Sequence, residues 1–225
     1  MLNKEIYEEL ITQGRKSYCY NLEKYDLVSE IRELFNCYDL SRIHEIYRSD
    51  FDVLTFETDQ ATVFHKIFYS MSRDANFYMH YKNFVKDNIS PLFSEKIIYQ
   101  RIPTFRTQVP NNLSVAAWHR DSDYSHSKEE WNIFLPLTEA YDTNTIWSET
   151  VRDKGDFSPL AASPGQYYLW QGSDLLHGNK INETGKSRVS IDFRVMPISH
   201  YKDNNRISTS NKTKMIIGDY FDICE

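Results

Sequence analysis

Apolar residues recur three and four apart through the first part of the chain and at alternate positions from Lys96 onward. The pattern therefore predicts helices followed by strands. Ile6 and Leu10 give residues 1–13 a short amphipathic helix, with Gly14 placed to cap its C-terminus. Residues 26–37 make a better one: Asp26 can cap it, and Leu27, Ile31, Leu34 and Phe35 form one stripe. A weaker helix covers 40–48. Asp59 is placed to cap another over 60–72, with Val63, Phe64, Ile67, Phe68 and Met71 inward, and a last helix over 75–89 stops before Pro91. No linker rich in Gly, Ser or Pro separates these helices from the rest. Residues 1–95 are thus expected to pack, mostly as helices, on the outside of a sheet within a single domain spanning 1–225.

From Lys96 the strand period takes over. Residues 96–109 read as one or two strands broken at Pro103, and Asn111-Asn112 signals a turn. Residues 113–119, 131–137, 144–150, 166–171, 174–177 and 187–196 supply further short strands. Short strands separated by turn signals predict a sandwich or barrel. A double-stranded β-helix, the jelly roll of cupins, fits residues 96–200 best. The expected class is mainly β with a helical N-terminal region. The tail over 201–225 is polar up to Lys214 and is expected to cross the surface before Met215-Ile216-Ile217 docks back.

Composition narrows the function classes. The formal net charge is −6 with no basic run, which disfavours a nucleic-acid partner. No apolar stretch is long enough to cross a membrane, and Met1–Ile6 lacks the apolar core of a signal peptide. Cys19, Cys37 and Cys224 are odd in number and widely spaced, as expected of free thiols in the cytoplasm. A monomer and a homodimer are both compatible with the sequence.

The chemistry concentrates at Trp118-His119-Arg120-Asp121. In an extended strand, residues i and i+2 point to one face, so His119 and Asp121 would project together. His177 is the candidate third ligand. His126 competes by its closeness to Asp121, but Gly178-Asn179 and the strand that begins at Arg188 favour His177. Two imidazoles and one carboxylate leave three metal positions open, as in non-haem Fe(II) oxygenases. Zinc takes the same donors, but zinc alone leaves Arg188 and Ser190 without a role. The segment from Arg188 alternates without a break: Arg188, Ser190, Asp192 and Arg194 on one face, Val189, Ile191, Phe193 and Val195 on the other. Such a polar face either meets solvent or lines a wet cavity. Arg188 with Ser190 suits a bidentate carboxylate anchor. Arg194 lies about 20 Å further along an extended strand, so it is assigned to pair with acidic neighbours.

These residues resemble the 2-oxoglutarate/Fe(II)-dependent dioxygenases, and more narrowly the StrG-like group associated with streptomycin biosynthesis and bacterial carbohydrate gene clusters. The likeness is carried by Trp118-His119-Arg120-Asp121-Ser122-Asp123-Tyr124, Glu130-Trp131-Asn132, Pro136-Leu137-Thr138, Asn144-Thr145-Ile146-Trp147, His177-Gly178-Asn179 and the run Asn182–Arg194. It covers roughly residues 97–200. The resemblance implies Fe(II) on His119, Asp121 and His177, and 2-oxoglutarate as cosubstrate with Arg188 and Ser190 on its distal carboxylate. It also implies O₂ as oxidant, and succinate and CO₂ as coproducts of hydroxylation. Asp121 argues against halogenation, because related halogenases leave that ligand position open for halide.

Asn132 either touches the cosubstrate or satisfies backbone groups. The subgroup implies a small polar substrate: a sugar, aminocyclitol or nucleotide sugar. Arg106 is a candidate for an anionic substrate group, and Asn144 and Trp147 for a sugar-like ring, with Tyr124 and Trp170 as further aromatic candidates. Two alternatives remain: a cupin-like metal-binding protein without oxygenase activity, and an oxygenase acting on a protein substrate.

Overall fold

The computed structural model describes residues 1–48, 54–55, 57–124, 126–203, 206–208 and 213–225. Helix α1 (Lys4–Gln13) ends as its glycine requires: Gly14 adopts φ 70°, and its N–H reaches the Leu10 carbonyl at 2.7 Å. Strand β1 (Arg15–Cys19) comes next, and nothing in its polar sequence announced it. In α2 (Leu27–Leu34) the Asp26 carboxylate accepts from Ser29 N at 3.2 Å, as the capping pattern predicts. The weak 40–48 segment resolves into one 3₁₀ turn and the four-residue α3 (Ile43–Ile46).

Helix α4 (Val63–Tyr69) is shorter than expected, and Asp59 does not cap it. The Asp59 carboxylate accepts from Ala116 N instead, at 3.2 Å. Helix α5 (Asn76–Phe84) continues through a wider π turn, Val85–Ile89, before Pro91.

The strands are β2 (Ile97–Gln100), β3 (Thr104–Gln108), β4 (Trp131–Pro136), β5 (Ile146–Ser148), β6 (Ser158–Pro159), β7 (Gln166–Trp170), β8 (His177–Asn179), β9 (Arg188–Pro197) and β10 (Phe221–Ile223). They form two antiparallel sheets. The larger runs β1-β7-β4-β9-β2-β10, with β3 also on β9, and the smaller runs β6-β5-β8. Mostly β with helices on one face, the class matches expectation at that level.

Two expected strands are not strands. Over 113–119 side chains take backbone N–H groups: Asn112 accepts from Leu113 N, and Asp59 from Ala116 N. Over 174–177 the N–H groups of Asp174 and Leu175 both turn back to the Gln171 carbonyl, and β8 begins only at His177. The tail does dock: Met215, Tyr220 and Phe221 pack with Ile98 and Met196, and β10 pairs with β2. Of the expected polar crossing, residues 204–205 and 209–212 lie outside the described residues.

Strand β9 decides the architecture. Its apolar face, Val189, Ile191, Phe193 and Val195, joins Phe68, Phe77, Tyr81 and Phe84 of the helices in one core. Phe105 of β3 stacks on Phe68 (4.6 Å, 16°), and Phe193 meets Tyr81 edge-on (5.0 Å, 86°). Every polar residue of β9 is thereby forced to the far side. The three cysteines are free, and no helix among the described residues is long and apolar enough to cross a membrane.

His65 sits in this core, 2 % exposed, with Nδ1 on the Thr62 hydroxyl at 2.7 Å. Burial, and then the nearby Arg106 charge, push its pKa down from 6.5 to about 3. The unfolded chain therefore takes up a proton in a window where the folded chain does not, and stability falls as pH drops from 6.5 toward 3. His65→Gln should remove about 3 kcal/mol of the stability lost between neutral pH and pH 4, read from urea melts at both pH values. Identical pH dependence in the two proteins would discount His65 as the titrating group.

Candidate metal centre

His119 and His177 meet because their backbones pair. His119 N donates to His177 O at 2.9 Å, and His177 N to His119 O at 3.0 Å. A hydrogen-bonded antiparallel pair places both side chains on one face, and the ring centroids lie 4.4 Å apart. Each ring is fixed by its other nitrogen: His119 Nδ1 on Ala117 O and His177 Nδ1 on Leu175 O, both at 2.9 Å. Nδ1 therefore carries the proton, and both Nε2 lone pairs face forward.

Asp121 arrives differently from expectation. It opens a 3₁₀ turn, Asp121–Tyr124, rather than continuing a strand from His119. Its N–H is pinned to the Gly172 carbonyl at 3.0 Å. The three groups still converge: one donor atom each from His119, Asp121 and His177 lies within 4.8 Å of the others. Asp121 Oδ1 is 3.4 Å from His119 Nε2 and 3.8 Å from His177 Nε2.

The other carboxylate oxygen is held from behind. Asp121 Oδ2 accepts from Asn132 Nδ2 at 2.6 Å and from Arg194 Nε and Nη2 at 3.1 and 2.8 Å. Burial alone would raise the Asp121 pKa, but Arg194 and the two imidazoles outweigh it and hold the group well below the carboxylate range. Burial, helped by the His119 charge, lowers His177 to about 4. His177 thus presents a neutral nitrogen, beside one anionic oxygen, at neutral pH. This donor set fits Fe(II), and all three residues line one cavity.

His126, the competing ligand, is turned away, its Nδ1 bonded to Glu130 Oε2 at 2.8 Å. Arg194 takes an acidic neighbour, as expected, but that neighbour is a candidate metal ligand.

A narrow inner cavity of about 40 Å³ runs from the triad along the polar face of β9 to Arg188. Arg188 is 1 % exposed. Its Nε donates to Asn144 O (3.0 Å), Nη1 to Ser190 Oγ (2.8 Å) and Nη2 to Gln108 Oε1 (3.2 Å). A guanidinium has five N–H donors, so two are left without a partner among the described residues, one on each Nη. Burial lowers the Arg188 pKa to about 10, with Asp192 opposing. Gln108 escaped sequence reasoning. Its amide nitrogen donates to Lys180 O at 2.7 Å and Thr143 O at 3.1 Å, which turns Oε1 toward Arg188. The only signal was its position on the same face of β3 as Arg106.

The weaker candidates separate. Arg106 lines the inner cavity and an outer one of about 400 Å³, but its guanidinium is engaged by Asp192 (3.4 Å) and, in the amide orientation its surroundings require, by the Gln60 oxygen. The Asn144 side chain is spent in a turn, where Oδ1 takes Tyr141 N at 2.7 Å, and only its backbone serves the site. Trp147 donates to Asp142 O and carries Lys180 over its ring at 3.2 Å; it lines neither cavity. Asn144 and Trp147 are therefore not placed for a sugar ring. Tyr124 packs edge-on against His119, and Trp170 against His177.

Two glycines make room for side chains that flank the triad. A Cβ on Gly172 would fall 2.8 Å from the Asn132 amide, and one on Gly178 would fall 2.6 Å from the Trp118 ring. Gly178→Ala should push the Trp118 ring from its place beside Phe157 and cost about 1–3 kcal/mol in thermal stability. An unchanged melting temperature would show that Trp118 yields freely.

The fold that carries this triad is similar to that of solved non-haem enzymes. The chain superposes on CytC3 with Fe(II) and α-ketoglutarate at TM-score 0.53 and 11 % identity, covering 88 % of this chain and 78 % of that one. It superposes on apo EctD from S. alaskensis at TM-score 0.58 and 12 % identity, with the same coverage. No family model matches the chain. It is 34 % identical over 214 residues to the streptomycin biosynthesis protein StrG of Streptomyces griseus, spanning 90 % of this chain and 95 % of that one. The chain belongs to the StrG family.

Proposed function

We propose that the protein is a 2-oxoglutarate- and O₂-dependent Fe(II) oxygenase that hydroxylates a small polar metabolite of the sugar or aminocyclitol type. The balanced reaction is substrate C–H plus 2-oxoglutarate plus O₂ giving substrate C–OH plus succinate plus CO₂. The observation that carries this reading is Arg188: a buried guanidinium with two unused donors, in the same cavity as a two-histidine, one-carboxylate set. In this reading the two sheets are the walls of a double-stranded β-helix, and the chain is one domain over 1–225.

His119, Asp121 and His177 would hold Fe(II), and the bound iron would supply O₂ activation. Arg188 would hold the distal carboxylate of the cosubstrate, with Ser190 and Gln108 holding the guanidinium in place. Asn132 and Arg194 keep Asp121 Oδ2 occupied, so the carboxylate offers the metal one oxygen. Trp170 walls the inner cavity beside His177 and excludes water there. The outer cavity, of small-molecule size, is where the substrate would stand. Purified protein with Fe(II), ascorbate and 2-oxoglutarate should release succinate and CO₂ in equal amounts, even without substrate. Tight binding of metal with no 2-oxoglutarate binding would instead favour a metal-binding protein without oxygenase activity.

A further inference from the structure

We propose that the outer cavity carries a subsite for a cation: it takes an ammonium or guanidinium group on a polyhydroxylated ring, and Asp59 is the side chain that holds it. This rests on the oxygenase reading only in that the substrate enters beside His119 and Asp121.

The charges that line this cavity are almost all matched. Arg194 is spent on Asp121 at 2.8 Å and also lies 3.8 Å from Glu130. His126 is held by Glu130 at 2.8 Å. Arg106 is taken by Asp192 and Gln60. Asp59 is left over. It is 4 % exposed and lines the cavity, and among the described residues its carboxylate accepts one hydrogen bond, from Ala116 N. No ion pair among the described residues includes it. Glu57, also on the cavity wall, adds a second negative charge.

A buried carboxylate without an ion pair is costly, and burial does push the Asp59 carboxyl above its ordinary value, with the Arg106 charge pulling the other way. A substrate cation would satisfy that oxygen, and the charge-assisted hydrogen bond would orient the ring against His119. An anionic substrate group would meet Asp59 and Glu57, with both arginines of the cavity, Arg106 and Arg194, already engaged. The same charge pattern turns Arg106 from an anion receptor into a wall that neutralises Asp192.

Three rings of one shape separate the possibilities: myo-inositol, an aminodeoxyinositol and myo-inositol monophosphate, each titrated at millimolar concentration by ligand-observed NMR. The protein is Fe(II)-loaded under anaerobic conditions with 2-oxoglutarate. The amine should bind about tenfold or more tighter than the neutral ring, and the phosphate more weakly than either. Asp59→Asn keeps an acceptor for Ala116 N and should bring the amine down to the level of the neutral ring, with circular dichroism confirming the fold. Equal binding of amine and neutral ring, preference for the phosphate, no binding by any of the three, or an amine preference that survives Asp59→Asn would each overturn the subsite. Iron and 2-oxoglutarate affinities, measured alone, report on the oxygenase reading separately. Their loss with the amine preference intact would sink that reading and leave the subsite standing.

Discussion

Arg188→Met should weaken 2-oxoglutarate binding by roughly 30-fold or more, while Fe(II) affinity changes by no more than a few-fold. The size reflects what is removed: a fully desolvated charge pair, whose truncation costs about 2–5 kcal/mol of binding. Arg188 lies at the far end of the inner cavity from the triad and touches no metal-ligating atom, so the metal should be nearly indifferent. Without cosubstrate the sign on stability should differ. A buried guanidinium satisfied only by neutral groups gains little, and methionine fills a similar volume without the desolvation cost. Metal-free, cosubstrate-free Arg188→Met should therefore melt at or slightly above the wild type, and added 2-oxoglutarate should stabilise only the wild type. Calorimetric titration of each component, with melts in parallel, tests both halves. If the variant binds 2-oxoglutarate as the wild type does, the anchor lies elsewhere.

The sequence made the strands around Arg188 legible and left the loops around the ligands dark, for a physical reason. Strand β9 is buried on both faces, and its uninterrupted alternation can be satisfied only by an apolar core on one side and a polar cavity on the other. The pattern alone therefore put Arg188 on the polar face of a buried strand. His119 and Asp121 were found by type and spacing, but through the wrong backbone. Their convergence depends on a two-residue bridge to His177 and on Gly172 O, long-range pairings that leave no periodicity. Strand β1 was invisible because Arg15–Cys19 alternates too weakly and is half-exposed at the sheet edge. Asn144 and Trp147 looked like ligand contacts because amides and indoles serve turns and sugars equally well. Only the Tyr141 N–H and the Lys180 ammonium show which use prevails here.

Removing the carboxylate ligand should damage the fold, whereas removing a histidine ligand should not. His177→Ala deletes a ring whose one protein hydrogen bond is to Leu175 O, and it leaves no charge unpaired. Asp121→Ala strips Arg194 of the oxygen that takes two of its N–H groups, leaving Glu130 at 3.8 Å and the Tyr220 hydroxyl at 3.5 Å as its remaining partners. An abandoned buried charge costs about 3–5 kcal/mol, which for a chain of this size is a fall of about 10 °C or more in the melting temperature. Both variants should lose metal affinity by about 100-fold or more, since loss of a ligand exceeds the loss of a group behind one. The two effects part in metal-free protein: His177→Ala should melt close to the wild type and Asp121→Ala well below it. Asp121→Ala/Arg194→Met, which removes the stranded charge along with its partner, should recover most of the stability and none of the metal binding. Chelator competition and melts of the four proteins decide the matter. If the double variant is no more stable than Asp121→Ala, then Arg194 is not what Asp121 holds in place.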